Sequence, residues 1–472
     1  MTLHVVILIS YSLVLMAVGL WIGRRVRGAS GFFVADRQLG PGLIFSTMLA
    51  ANIGAGSTVG AAGIAYSGGV SAWWWVGSAA LGSAVLAFWI GPAIRREAAS
   101  RGLRTVGDYL EYRYSRSVRG VVSAILWLGS IQLLGAQLIA LGTILDVVAG
   151  VPFAIGCSIG GLLIIVYFSA GGLLTAAWVN VIQLAVKLSG FALALPLAVS
   201  AFGGWGAIER VRPDDAVYWN LWRPGPPGLM YLAMLVPAFI VSPGLLQKIF
   251  GARDDRAVRL GVGANAVGLL VYAAAPVILG IVARGRFADL PDERLALPMI
   301  LLYGLPPVVG AIGLAAVFSA EVSAADAALF MLTTSLSQDL YKRFANPQAT
   351  DVQVLRVARW TTIVAGSLAT TIAIVSASII GALTFFYTLL GVTLFVPILA
   401  GLYSRRTSSG SAIVSIAAGV IGMLVVQTAT GGKGWALATP ALVGLAAAIA
   451  AWTVSLAVET ARGRLGAQTT SS

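Results

Sequence analysis

Stretches of about twenty mostly apolar residues recur along nearly the whole chain, and a helix of that length is what crosses the hydrocarbon core of a bilayer. Thirteen such stretches can be marked, at 3–23, 42–66, 71–94, 120–145, 151–169, 175–199, 228–250, 260–282, 308–336, 360–380, 383–402, 411–428 and 436–458. The ninth is long and begins near a separate segment at Pro306-Pro307. Nothing between them is long enough for a soluble domain. Only 10% of residues are charged while 58% are hydrophobic, and a soluble chain with roughly 25% charge is the usual comparison. A soluble enzyme of one to three domains is thereby excluded. The pattern predicts an all-α polytopic membrane protein lodged in the cell (inner) membrane.

The formal net charge of +13 would point to nucleic acid in a soluble chain. Here the cations follow the loops. With the N-terminus outside, 23 of the 31 Lys and Arg fall on inner segments, among them Arg24, Arg25, Arg27, the run from Arg95 to Arg119, and Lys248. Seven fall on outer segments, and Lys187 lies within a span. This asymmetry predicts N outside and C cytoplasmic, and no nucleic-acid partner. Arg24, Arg25 and Arg27 follow the first apolar run and no basic segment precedes it. It therefore reads as an uncleaved helix, not a leader.

One cysteine, Cys157, allows no intrachain disulfide, and the single histidine, His4, precedes the first span. A Cys/His zinc site is excluded, Ser-His-Asp chemistry is disfavoured, and no catalytic carboxylate–histidine constellation exists. The chain does not read as an enzyme.

Two spans are interrupted at matching places. The second reads Ala50-Ala51-Asn52-Ile53-Gly54-Ala55-Gly56-Ser57-Thr58, and the seventh Pro237-Ala238-Phe239-Ile240-Val241-Ser242-Pro243-Gly244. Gly and Pro open the backbone ladder, and the freed groups must face protein or a wet cavity. Interruptions five spans apart are the mark of a transport site built on inverted repeats. The plainer alternative is that these glycines serve packing and these prolines only kink.

Four motifs in order resemble the sodium:solute symporter family. Ala50 to Gly56 looks like its first core helix. Gly171-Gly172-Leu173 with Trp178-Val179-Asn180-Val181-Ile182-Gln183 resembles a second block. Leu246-Gln247-Lys248 with Ala252-Arg253-Asp254 resembles the inner end of the sixth core helix. Ser323-Ala324-Ala325-Asp326 with Ser337-Gln338-Asp339-Leu340-Tyr341 resembles the fourth. The resemblance implies a LeuT-like core of two inverted five-helix repeats, at 40–202 and 225–404. It adds one N-terminal helix (1–27) and two C-terminal helices (408–460). The remaining 465–472 is expected to be a disordered tail. It also implies alternating access and sodium-coupled symport of a small organic solute, with no resident cofactor.

By the same resemblance, sodium would be held by carbonyls of Ala50, Ile53 and Ala320 and by hydroxyls at Ser323 and the next residue. That next residue is Ala324, which has no side-chain oxygen. Asn180 stands where the family commonly has aspartate. Three ionisable residues lie inside spans: Lys187, Glu321 and Asp326, and such residues are functional candidates by default. Lys187 follows Asn180 by two turns and shares its face. Three readings stand side by side. Glu321 or Asp326 completes the sodium site; or the Lys187 ammonium sits in or beside it and a proton replaces sodium; or lysine and carboxylate form a structural pair.

Expected solute-facing residues are Asn52, Ser57, Thr58, Gln132, Gln137, Phe239 and Ser242, with Phe385, Phe386 and Tyr387 as a gate. Polar and aromatic groups mixed in one pocket suit a small organic solute, although aromatics in apolar helices often merely pack. Trp73-Trp74-Trp75 reads as a membrane-interface anchor. Leu235, Pro237 and Ala238 stand near the gate where sugar-binding members are polar, which weighs against a hexose. Lys187 would suit an organic anion. Proton-coupled or ion-independent transport on the same fold, and a transporter-like sensor, are the rival functions. Oligomeric state is left open.

Overall fold

The structure is a computed structural model and describes residues 3–23, 37–168, 173–212, 214–225, 228–376, 378–435 and 437–469. Among these residues it is helical apart from turns, an irregular connection between Ile208 and Met230, and isolated bridges such as Leu39 with Ala252. Gly171-Gly172, Arg24, Arg25, Arg27 and 470–472 lie outside the described residues.

In chain order the helices are α1 (Leu3–Gly23), α2 (Pro41–Asn52), α3 (Ala61–Gly68), α4 (Trp73–Val85), α5 (Gly91–Ser100), α6 (Val106–Arg113) and α7 (Arg116–Ala149). Then come α8 (Phe153–Phe168), α9 (Leu173–Ala201), the short α10 (Trp205–Ile208), α11 (Met230–Val241), α12 (Pro243–Phe250), α13 (Asp255–Tyr272) and α14 (Ala274–Arg286). The last are α15 (Ala296–Tyr303), α16 (Pro307–Thr334), α17 (Asp351–Ser376), α18 (Ile379–Tyr403), α19 (Ser409–Thr430) and α20 (Pro440–Thr469).

Ten helical stretches are long and apolar enough to cross a membrane, and the bent pair Pro41–Asn52 with Gly56–Gly68 forms an eleventh. The shorter apolar helices Leu3–Leu15 and Phe153–Val166 fall on the first and fifth expected spans. Large apolar side chains face outward all around the bundle, including Phe88, Trp89, Leu128, Val271, Trp360 and Val375. Exposure on that scale is stable only against lipid or another apolar surface. The final helix runs to Thr469, so much of the tail expected to be disordered is helical. Leu465, Ala467 and Gln468 are good helix formers, and they extend the helix.

The interior is set by which helices touch. α9 packs along α16, α2 along α13, α7 against α16 and α18, and α4 against α11. α19 and α20 pack chiefly on each other and on α18. Both interrupted spans are broken where expected. α2 begins with Pro41 at its first turn and ends at Ile53, whose φ −91° and ψ 95° are extended. The chain then turns by 62° into a π-helical turn at Gly56–Gly60. α11 ends at Ser242, with φ −55° and ψ 120°, and Pro243 restarts the chain as α12. A proline at the first turn fits because its missing N–H is one that a helix start leaves unbonded anyway.

Close approach explains the first break. A Cβ on Gly54 would lie 2.4 Å from the Ala324 Cβ and 2.8 Å from Gln137 Oε1. Glycine at 54 and alanine at 324 therefore let α16 touch the unwound backbone. We expect Gly54→Ala to lower stability by about 1–3 kcal/mol through overpacking. Adding Ala324→Gly should restore part of that loss in thermal unfolding of the purified chain. A Gly54→Ala protein as stable as the parent would show that the crossing is not close-packed.

Candidate functional site

The break in α2 leaves carbonyls that the helix would otherwise have used. In an unbroken helix Gly54 N–H would bond Ala50 O and Ser57 N–H would bond Ile53 O. Instead Gly54 N–H donates to Ser57 Oγ (3.0 Å) and Ser57 N–H to Gly54 O (2.9 Å). Ala55 N–H donates to Gln137 Oε1 at 2.8 Å. Ala50 O and Ile53 O are left pointing away from their own helix, and buried carbonyls must find donors.

The donor is Lys187. Its Nζ lies 2.6 Å from Ala50 O and 3.3 Å from Ile53 O, and it also hydrogen-bonds Ser323 Oγ. Lys187 is fully buried. Ser323 Oγ lies 2.8 Å from Ala50 O and 3.0 Å from Ala320 O, to one of which its single proton is given. One ammonium thus joins α9, α2 and α16. Four of the residues expected around a cation, Ala50, Ile53, Ala320 and Ser323, are thus brought together, with Lys187 among them. Ala324 sits beside them but offers only its methyl group, packed toward Gly54.

The two carboxylates do not enter this cluster through hydrogen bonds to Lys187. Glu321, on another face of α16, has Oε1 2.7 Å from Thr58 Oγ1. Asp326 is buried one turn from Ser323. Asn180 is two turns from Lys187 along α9, and its amide donates to Thr47 Oγ1 at 2.9 Å. Thr47 O in turn accepts from Lys248 Nζ at 3.0 Å. So α2 is held at two depths by α9 and once by α12.

A cavity opens on the far side of both breaks. Asn52, Ser57, Gln137, Phe239, Ser242, Phe386 and Tyr387 line it, as expected from the sequence. Three expected residues lie elsewhere. Thr58 turns to Gly54 O and Glu321. Phe385 packs toward Leu389, Val392 and Met423. Gln132 is not part of the wall. Phe385 and Tyr387 are separated by 200° of helix rotation, so with Tyr387 on the cavity Phe385 turns to the opposite side.

Among the wall residues that were not anticipated, two carry chemistry. Trp75 is 4% exposed and lines the cavity, with its ring 4.9 Å from Tyr231 and 6.4 Å from Tyr387, both edge to face. The membrane-anchor reading of the Trp triplet therefore fails for Trp75, and Trp74 is buried too, with its indole N–H on Leu221 O at 2.8 Å. Three successive tryptophans on a helix point in three directions, which was the available signal. Lys248, grouped by sequence with the inner-loop cations, is buried in α12 and borders the cavity. Phe239, 5.5 Å from Tyr387, completes an aromatic flank.

At one end of the bundle a second polar cluster ties α6 and α7 to the π-helical continuation of α16 at Ser335–Ala345. Arg119 Nη1 lies 2.8 Å from Asp108 and 3.0 Å from Glu111, and Nη2 lies 2.7 Å from Asp339. Arg343 also pairs with Glu111. Burial alone would raise the Glu111 carboxyl, but hydrogen bonds from Arg343 and Arg119 outweigh it and hold it below the usual carboxylate range.

The model of the sodium:solute symporter family matches residues 32–419. The chain belongs to the sodium:solute symporter family. Membership carries sodium-coupled secondary transport of a small solute with it. High-affinity choline transporter 1 of Caenorhabditis elegans is 23% identical over 451 residues, covering 90% of this chain and 77% of that protein. The sodium/glucose cotransporter of Vibrio parahaemolyticus is 24% identical, covering 87% of this symporter and 82% of that one. The human sodium/iodide cotransporter is 25% identical over 70% of this chain and 54% of its own length.

Among solved structures, a substrate-bound, outward-open sodium-coupled sialic acid symporter superposes with a TM-score of 0.82 at 19% identity. It covers 96% of this chain and 97% of that one. A nucleobase-cation-symport-1 family transporter in a closed conformation gives 0.56 at 15% identity, over 90% and 93%. At these identities the likeness is one of fold, an all-helical LeuT-like arrangement.

Proposed function

We propose that this symporter carries a small organic solute bearing an anionic or strongly hydrogen-bond-accepting group. The cavity bounded by both broken helices is its binding site. The observation that carries the reading is Lys248 at the wall of that cavity. Its only hydrogen bond among the described residues goes to Thr47 O, and an ammonium has three donors. The remaining donors, with Asn52, Ser57 and Gln137, suit an acceptor group on the solute. Trp75, Phe239, Phe386 and Tyr387 suit its apolar body. A quaternary ammonium like choline, named for several relatives, would meet like charge at Lys248. A hexose, named for another, would meet Leu235, Pro237 and Ala238 where hydroxyl partners are needed.

Transport by alternating access follows, with 40–202 and 225–404 as the two repeats. The N-terminus is outside and the C-terminus cytoplasmic, in a cell membrane. The excess of basic residues on one set of loops supports this orientation, although Lys248 and Arg119 belong to the buried interior rather than to that count.

The test is uptake into proteoliposomes from a labelled panel of monocarboxylates, amino acids, sugar acids, a hexose and choline. Sodium and proton gradients are imposed separately. We expect a carboxylate-bearing solute to accumulate with an inward sodium gradient, and Lys248→Met to weaken its uptake about tenfold or more, the loss of one charged hydrogen bond. Accumulation of only choline or the hexose would sink the solute class. Uptake indifferent to sodium would sink the coupling.

A further inference from the structure

The seat between the α2 break and α16 is where the family resemblance assigns sodium, yet the oxygens there already have a cation. Lys187 Nζ contacts Ala50 O, Ile53 O and Ser323 Oγ. An ammonium has three N–H groups, and here each meets one acceptor. The Ser323 hydroxyl, 2.8 Å from Ala50 O and 3.0 Å from Ala320 O, can give its own proton to one of these carbonyls, which leaves its oxygen to accept from the charged lysine.

The rest of the seat is adapted to this occupant. Ala320 O already lies 3.0 Å from the Ser323 hydroxyl. Ala324 removes the oxygen that a serine would add, and its methyl lies against the Gly54 backbone instead. Sodium in the same place would have few ligands left. Sodium at the same oxygens would also crowd Nζ, and two positive charges side by side are penalised in a low-dielectric interior, even with the carboxylates of Glu321 and Asp326 buried nearby. The three-donor lysine and the missing hydroxyl at 324 are thus matched to each other.

We propose that the Lys187 ammonium is the permanent occupant of this seat, so that the chain supplies its own cation there and sodium acts at other atoms of the protein. The inference deepens the transporter reading and rests on it for the meaning of the seat. It replaces the expectation that Glu321 or Asp326 completes a sodium site at Ala50, Ile53, Ala320, Ser323 and Ala324.

The experiment reads ion binding and needs no solute, so a failed uptake assay does not bear on it. The purified full chain is titrated with sodium in detergent micelles, against N-methyl-D-glucamine at constant ionic strength. Thermal midpoint and binding of radiolabelled sodium are followed together. In the parent chain we expect Ser323→Ala to leave the sodium response unchanged. Lys187→Ala, which vacates the seat, should gain saturable sodium binding and a sodium-dependent rise in midpoint of about 2 °C or more, since a ligand bound only by the folded state stabilises it. Adding Ser323→Ala to that variant should remove the gain. Two results overturn the proposal: sodium binding in the parent that Ser323→Ala abolishes, or a folded Lys187→Ala chain that gains no sodium response. Should Lys187→Ala fail to assemble, the Ser323→Ala comparison in the lysine-bearing chain decides alone.

Discussion

Lys187→Met destabilises the folded chain by about 3 kcal/mol or more, because two carbonyls and a hydroxyl lose a shared donor in a dry interior, each at about 1–3 kcal/mol. Methionine is close to lysine in length and flexible enough to fill the space of the stem, so the effect isolates the ammonium from the packing. No helical N–H is available to replace it, since the amides of Gly54 and Ser57 are committed to Ser57 Oγ and Gly54 O. Unlike the alanine variant, the methionine variant leaves no room for an ion, so added sodium should not recover its stability. Reversible unfolding in mixed micelles measures the difference. A methionine chain equal in stability to the parent would show that the break satisfies its own carbonyls.

The second large effect concerns Arg119. Replacing it with methionine strands Asp339, which is buried and keeps only the Thr105 hydroxyl at 2.6 Å. It also removes one partner each from Asp108 and Glu111. Breaking a buried ion pair from one side costs about 3–5 kcal/mol. Combining Arg119→Met with Asp339→Asn should return a large share of that loss, the signature of coupled neighbours. Additive losses in the double variant would show that Arg119 acts through packing alone. The pH dependence has a definite sign. Glu111 is held below its ordinary value in the folded chain, so its stabilising contribution is complete above the unfolded carboxylate value. It is lost as pH falls through the lowered folded value.

The spans were legible because a bilayer allows few architectures and demands long apolar runs of each helix. The breaks were legible because Gly54, Gly56, Pro237 and Pro243 punctuate those runs. Lys187 was legible as a direction only: its spacing from Asn180 gave the face. Where its ammonium ends depends on how near α9 stands to α2 across 137 residues of sequence, and no local pattern encodes that. Composition rules misled where they ignored rotation. They placed all three tryptophans at the interface although Trp75 turns inward, and assigned Phe385 to a gate that Phe386 and Tyr387 line. Lys248 was obscured by its neighbours, for Arg253, Arg256 and Arg259 made it look like one more loop cation.

The clasp around α2 also bears on how the molecule can move. Asn180 holds Thr47, Lys187 holds Ala50 and Ile53, and Lys248 reaches Thr47 from the other half of the chain. These contacts sit a turn or so apart, and hydrogen bonds are lost over fractions of an ångström. Separating α2 from α9 would release the Asn180 and Lys187 contacts nearly together, with the Lys248 bond from α12 still to break. Such a boundary does not creep; it holds or it lets go. The pieces that rock during a transport cycle are therefore divided elsewhere, or this division is crossed in one abrupt step between two packed arrangements.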